Sequence, residues 1–194
     1  MAPDGTLHII ANVHSSEMRY WYSVSASDPL NFAFAKSMVV PPQYNDKGAR
    51  SDIEGYVTYP DFFTGNDGVF RLKWRQGWSN VGQIYVYEYD SATTSWSNPL
   101  GRQPVRNGWV TDEYRSPYPD RIEYNPADDF YYMSYTWRTR SSVAALTTIN
   151  LIRTKDFKSW TSAAGTPLPP PYSSTTPTPW SRTFQKTRAC TTRT

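Results

Sequence analysis

The sequence predicts an all-β chain, a partial β-propeller of about three four-stranded blades. Three observations predict it. A turn signal recurs at Asp4-Gly5, Asp67-Gly68 and Asp128-Asp129, 63 and 61 residues apart. Each turn opens a run in which apolar side chains alternate with others at period two, the spacing of a strand and not of a helix. The composition agrees, because 15 Tyr and 8 Trp suit pleated, half-buried surfaces.

The elements follow in chain order. Leu7, Ile9, Ala11 and Val13 share one face of a first strand, and Met18 to Ser23 supplies the next. In the second unit Phe70, Leu72 and Trp74 share a face, followed by a strand from Gln83 to Tyr89. In the third, Tyr131, Met133, Tyr135 and Trp137 share a face, followed by Thr148 to Thr154. Each unit ends in an acidic turn that closes on an aromatic residue: Asp28 to Phe32, Asp90 to Trp96, Asp156 to Trp160. Repeats of this size, stacked radially, are propeller blades. A closed ring needs about four blades or more, so three units predict an incomplete ring. From Thr166 the periodicity fades into a Pro/Ser/Thr-rich stretch. The expected division is therefore a propeller part over 1–168 and a disordered tail over 169–194.

Bulk properties narrow the partners. The 20 Lys+Arg against 17 Asp+Glu leave a net charge of +3, too mild to imply a nucleic acid. No apolar run reaches the roughly 20 residues of a membrane span, and no signal peptide precedes the first strand pattern. Cys190 is the one cysteine, so no intrachain disulfide forms. Only His8 and His14 are histidines. Six residues apart along a strand, they are about 20 Å distant, so no metal or other cofactor is expected.

Candidate site residues come from the far ends of the first strands. His14, Arg75 and Arg138 lie eight to ten residues after their respective turns, each on the face opposite its apolar stripe. Equivalent ends of adjacent blades converge on one mouth of a propeller. One imidazole and two guanidiniums meeting there would suit a carboxylate or sulfate. The bland alternatives are a structural histidine and solvated or salt-bridged arginines. Tyr59, before Pro60, would by the same logic be a packed aromatic.

Several segments resemble the BNR-repeat family of ulvan lyases and rhamnose–glucuronate lyases. They are Asp4-Gly5-Thr6-Leu7-His8, Asn12-Val13-His14, Met18-Arg19-Tyr20, Val57-Thr58-Tyr59-Pro60, Asp67-Gly68-Val69-Phe70-Arg71 and Trp74-Arg75. Tyr135-Thr136-Trp137-Arg138 and Asp156-Phe157-Lys158-Ser159-Trp160 extend the likeness, to roughly residues 4 to 168. The resemblance implies a seven-bladed ring in the family, an extracellular setting, and β-elimination at a uronic acid of an acidic polysaccharide. It implies that Arg75 neutralises the substrate carboxylate, that Tyr59 and His14 handle protons, and that Arg138 holds substrate. The family's other histidine would precede Met1, and its Asn-His-Asp segment is replaced here by about Leu146-Thr147-Thr148. A chain without those groups is expected to be a feeble lyase or a fragment of one.

Two further function classes remain open. A sialidase-like hydrolase needs three converging arginines and a Tyr–Glu pair. Glu54 and Glu123 give no pairing signal, and the turns at Asp28, Asp90 and Asp156 lack the glycine of an Asp box. A non-catalytic carbohydrate-binding propeller would keep the arginines and tryptophans without the proton-transfer groups.

Overall fold

A computed structural model describes residues 1–11, 13–14, 16, 18–34, 57–77, 81–100, 104–110, 113–139, 146–168 and 182–183. These residues form three antiparallel sheets that do not close into a ring. The first contains β1 (His8–Ile10), β2 (Tyr20–Ser25) and β3 (Asp28–Phe34) in that order. The second runs β4 (Val57–Thr64), β5 (Phe70–Gln76), β6 (Gln83–Asp90) and β7 (Ser95–Ser97). The third holds β8 (Gly108–Val110), β9 (Glu113–Asn125), β10 (Phe130–Thr139), β11 (Leu146–Thr154), β12 (Trp160–Ser162) and β13 (Pro167–Leu168). A two-residue strand, β14 (Arg182–Thr183), pairs with Thr148 and Ile149 of β11. No helix occurs among the described residues. Apart from β14, the expected tail over 169–194 lies outside them.

β5 organises the molecule, because every one of its residues is buried. Phe70, Leu72 and Trp74 point to the first sheet and pack with Met18, Tyr20, Tyr85, Tyr87, Tyr89 and Trp96. Each large side chain so enclosed contributes about 1.5–3 kcal/mol. The other face carries Arg71, Lys73 and Arg75, each no more than 2% exposed, toward the third sheet. There Ile84 and Val86 of β6 join Met133, Tyr135, Trp137 and Ile152 in a second core.

Buried cations need partners, and the three are anchored differently. Arg71 grips both oxygens of Asp67 at 2.7 and 2.6 Å and gives Nε to Glu88 at 2.9 Å. Its guanidinium carbon lies 4.1 Å from the ring centre of Phe157, in the third sheet. Lys73 donates Nζ to the carbonyl of Asp120 at 2.7 Å and lies 3.7 Å from the carboxylate of Asp61. Burial pushes its ammonium pKa down, and Asp61 and Asp120 oppose that push.

One expected face is reversed. The stripe of Leu7, Ile9 and Ala11 does not enter the core of these three sheets. His8 and Ile10 face the second sheet, while Ile9 is 41% exposed. Val13, beyond the strand, does reach the core. Ile9 pairs with Trp21, and Trp21 with Phe34, giving an outward apolar row whose two rings lie 5.5 Å apart. Ile149 and Leu151 stand exposed on the third sheet.

Candidate functional site

Strands of the second and third sheets carry the same tripeptide, Tyr59-Pro60-Asp61 in β4 and Tyr118-Pro119-Asp120 in β9. A β-bulge accompanies each copy. In β4 the register to β5 slips between Thr58 and Asp61. In β9 the slip toward β10 falls between the partners of Met133 and Tyr135, at Asp120 and Arg121. Bulges bend a strand and re-aim its side chains. Proline is admitted in β9 because Pro117 and Pro119 lie past Arg115, where pairing with β8 ends.

Tyr59 shows the cost of this arrangement. It adopts φ 55°, a region that costs a non-glycine residue roughly 1–2 kcal/mol, and it precedes a proline. Its side chain is 42% exposed and meets the ring of Tyr118 at 6.1 Å, edge to face.

Tyr118 is the hub. The Arg75 guanidinium carbon lies 4.2 Å from its ring centre and that of Arg138 lies 5.3 Å away. Arg138 also donates Nη1 to the Tyr118 hydroxyl at 3.2 Å. Two cations thus lie against one phenol ring, with a second phenol at its edge. The ring faces are negative, which favours both cations.

Arg75 is 1% exposed. It donates Nε to Pro117 O at 2.8 Å, Nη2 to Ser116 Oγ at 2.8 Å and Nη1 to Gly77 O at 3.3 Å. Burial lowers its pKa, Tyr118 and Tyr59 counter that, and Arg138 adds to it. Arg138 is half-buried, so it is the guanidinium with an open side. The family likeness implies that Arg75 lies beside a substrate carboxylate; in the structure its guanidinium lies against the ring of Tyr118.

The pin on Arg75 makes a prediction. A methyl group at Gly82 would stand 2.5 Å from the Arg75 guanidinium carbon. Gly82→Ala is therefore expected to lose about 1–3 kcal/mol of stability, as overpacked sites do. Urea denaturation measures it, and an unchanged midpoint would show that Arg75 can move aside.

Tyr59, Arg75 and Arg138 are brought together. His14 is exposed and lies two residues before Ser16, which bridges Val57 with a 2.7 Å hydrogen bond. Tyr118 was missed by sequence reasoning. Its signal was available in the repeated Tyr-Pro-Asp triplet, hidden because two prolines break the alternation of its strand. Among the described residues no group of acidic, histidine or cysteine side chains could hold a metal ion.

Two structures of the PL25 ulvan lyase share the fold. One, bound to -[GlcA(1-4)Rha3S]-, has a TM-score of 0.65 at 12% identity, and the alignment covers 89% of this chain and 41% of that one. The other gives 0.63 at 13%, with the same coverage. The polysaccharide lyase Uly1 gives 0.63 at 19%, covering 88% of this chain and 43% of that one. The chain therefore spans about two-fifths of the length of these lyases. No curated protein matches its sequence. A family model described as BNR repeat-containing family member matches residues 1–190, and the chain belongs to that family.

Proposed function

We propose that the chain carries a polysaccharide lyase site that acts by β-elimination on a uronic-acid-containing polymer of ulvan or rhamnose–glucuronate type. The observation that carries this reading is the Arg75–Tyr118–Arg138 stack with Tyr59 at its edge. Its sugar class comes from the solved lyases that share the fold. Such a polymer points to an extracellular setting.

Elimination begins at C5, whose proton is released only when the adjacent carboxylate is neutralised. Arg138 and the Tyr118 hydroxyl bind that carboxylate, and Arg75 adds fixed positive charge from beneath. Preorganised charge of this kind stabilises the anion that develops at C5. A base removes the C5 proton, the C4–O4 bond breaks, a C4–C5 double bond forms, and O4 takes a proton. Tyr59 delivers or accepts the proton at the open side, and His14 is the second proton-transfer group of this reading.

The non-catalytic carbohydrate-binding reading has one observation in its favour: Arg75 is spent on carbonyl and hydroxyl acceptors and is sealed from solvent. Ultraviolet absorbance separates the readings, because elimination creates an unsaturated uronate. The protein is expected to raise absorbance with ulvan or a rhamnose–glucuronate glycan. Reducing ends without that absorbance would assign hydrolysis, and binding without either would assign a binding module. Arg138→Ala is expected to weaken binding of a glucuronate oligosaccharide about 10- to 100-fold, the loss of a charge-assisted bond. Titration calorimetry checks it, and unchanged affinity would remove Arg138 from the site.

A further inference from the structure

A chain of hydrogen bonds runs through the boundary between the first and second sheets. Trp96 donates Nε1 to the Tyr20 oxygen at 3.1 Å. The Tyr20 hydroxyl lies 2.6 Å from His8 Nδ1. His8 Nε2 lies 2.9 Å from Thr6 Oγ1, which donates to Asp4 Oδ1 at 2.5 Å. Donor inventory fixes the directions. An indole can only donate, so the Tyr20 hydrogen is turned toward Nδ1. Thr6 has given its hydrogen to Asp4, so its oxygen accepts from Nε2. The chain is complete only with a neutral His8 protonated on Nε2. Around the imidazole stand Phe62 at 6.2 Å, Phe70 at 5.1 Å, Tyr89 at 4.6 Å and Trp96 at 5.9 Å, all from the second sheet.

We propose that His8 is a proton-sensitive latch that holds the first blade on the second and releases it on acidification. A proton arriving at Nδ1 turns that acceptor into a donor. The Tyr20 hydrogen then has no acceptor, and a full charge sits among aromatic rings. Burial resists this and lowers the His8 pKa from 6.5 to about 4, with Asp4 opposing and the N-terminal amine assisting. The other titratable groups at the ring are Asp4 and the N-terminal amine on its own segment, Tyr20 and Tyr22 on β2, and Tyr89 on β6. Phe62, Phe70 and Trp96 bring no charge. Burial raises the Tyr20 and Tyr89 pKa values, and Asp4 is held below its usual 3.8. Among the groups facing this ring cluster, His8 is thus the one that changes charge between pH 6.5 and 4. Its folded pKa is the lower one, so the latch is at full strength above pH 6.5 and fails progressively as pH falls toward 4. This holds whether or not the chain is a lyase.

Hydrogen exchange with mass spectrometry tests it, comparing β2 and β3 with β10 and β11 at pH 7.5 and pH 5 after correction for intrinsic rates. The two pKa values allow about a 30-fold increase in opening at pH 5. Screening on the open side of the ring brings the expectation to about tenfold. That increase is expected in β2 and β3 and not in β10 and β11. His8→Gln keeps a donor toward Thr6 and cannot be protonated, so it is expected to abolish the pH dependence. Tyr20→Phe removes the hydrogen held by Nδ1 and is expected to move the transition toward pH 6.5. A uniform rise in all strands, or a His8→Gln protein with unaltered pH dependence, overturns the proposal. So does an NMR titration of the intact protein, which has only two histidines, if His8 titrates near 6.5.

Discussion

Replacing Tyr59 with phenylalanine is expected to slow elimination about 10²–10⁴-fold, the usual worth of a general acid–base group, with little change in stability. The two halves of that expectation have separate grounds. The hydroxyl belongs to a side chain that is 42% exposed, so its removal leaves no buried hole. The ring, its edge contact with Tyr118 and the φ of 55° all survive the change. A loss of rate at unchanged melting temperature would therefore report the proton-transfer role alone. Substrate affinity should stay close to that of the parent, because Arg138 and Tyr118 are untouched. Steady-state kinetics by ultraviolet absorbance provide the measurement. Full activity in Tyr59→Phe would move the acid–base role to another group, His14 first.

Arg71→Ala is expected to cost about 2–4 kcal/mol of unfolding free energy, the largest stability effect of a single truncation proposed for this chain. Breaking one side of a buried ion pair typically costs 3–5 kcal/mol because the remaining charge is stranded. Here two carboxylates would be left, but Asp67 is 45% and Glu88 24% exposed in their side chains, so water relieves part of the loss. The variant also uncovers Phe157, the ring on which Arg71 lies. Arg71→Met, which keeps that cover, is expected to recover some of the deficit. The pH dependence has a definite sign. Hydrogen bonding to Arg71 holds the Asp67 carboxyl below its usual 3.8, so this stabilisation is present above that value and disappears as pH falls through the lower, folded one. Urea titrations at pH 7 and pH 3 should show a large gap between parent and variant at the first pH and a smaller one at the second. A deficit under about 0.5 kcal/mol at pH 7 would mean that the second and third sheets do not depend on this contact.

The sequence revealed strands whose partners on one face are apolar. β10 falls where period-two alternation puts it, because Tyr131, Met133, Tyr135 and Trp137 all enter one core, and β6 and β11 fall where the second strand of each repeat was expected. β4 and β9 were not legible, since Pro60, Pro117 and Pro119 interrupt them and their bulges shift the alternation. The face of β5 bearing Arg71, Lys73 and Arg75 looks solvated in a sequence. It is buried because carboxylates, carbonyls and aromatic rings, many of them distant in the chain, surround it. The first strand misled for a similar reason: His8 faces the interior only because Tyr20 and Thr6 satisfy both ring nitrogens. Of the candidate site, Arg75 and Arg138 were proposed from their position on the strands, and Tyr59 from family likeness. Tyr118 required seeing that Tyr-Pro-Asp occurs twice.

That duplication has an evolutionary consequence. Tyr59 and Tyr118 reach each other from the same tripeptide in the first long strands of adjacent units, so gaining, losing or permuting a unit moves a ready-made phenol with its strand. Specificity in such an arc can change in whole-module steps, with the spacing between recognition groups inherited from the pitch of the repeat rather than rediscovered one mutation at a time.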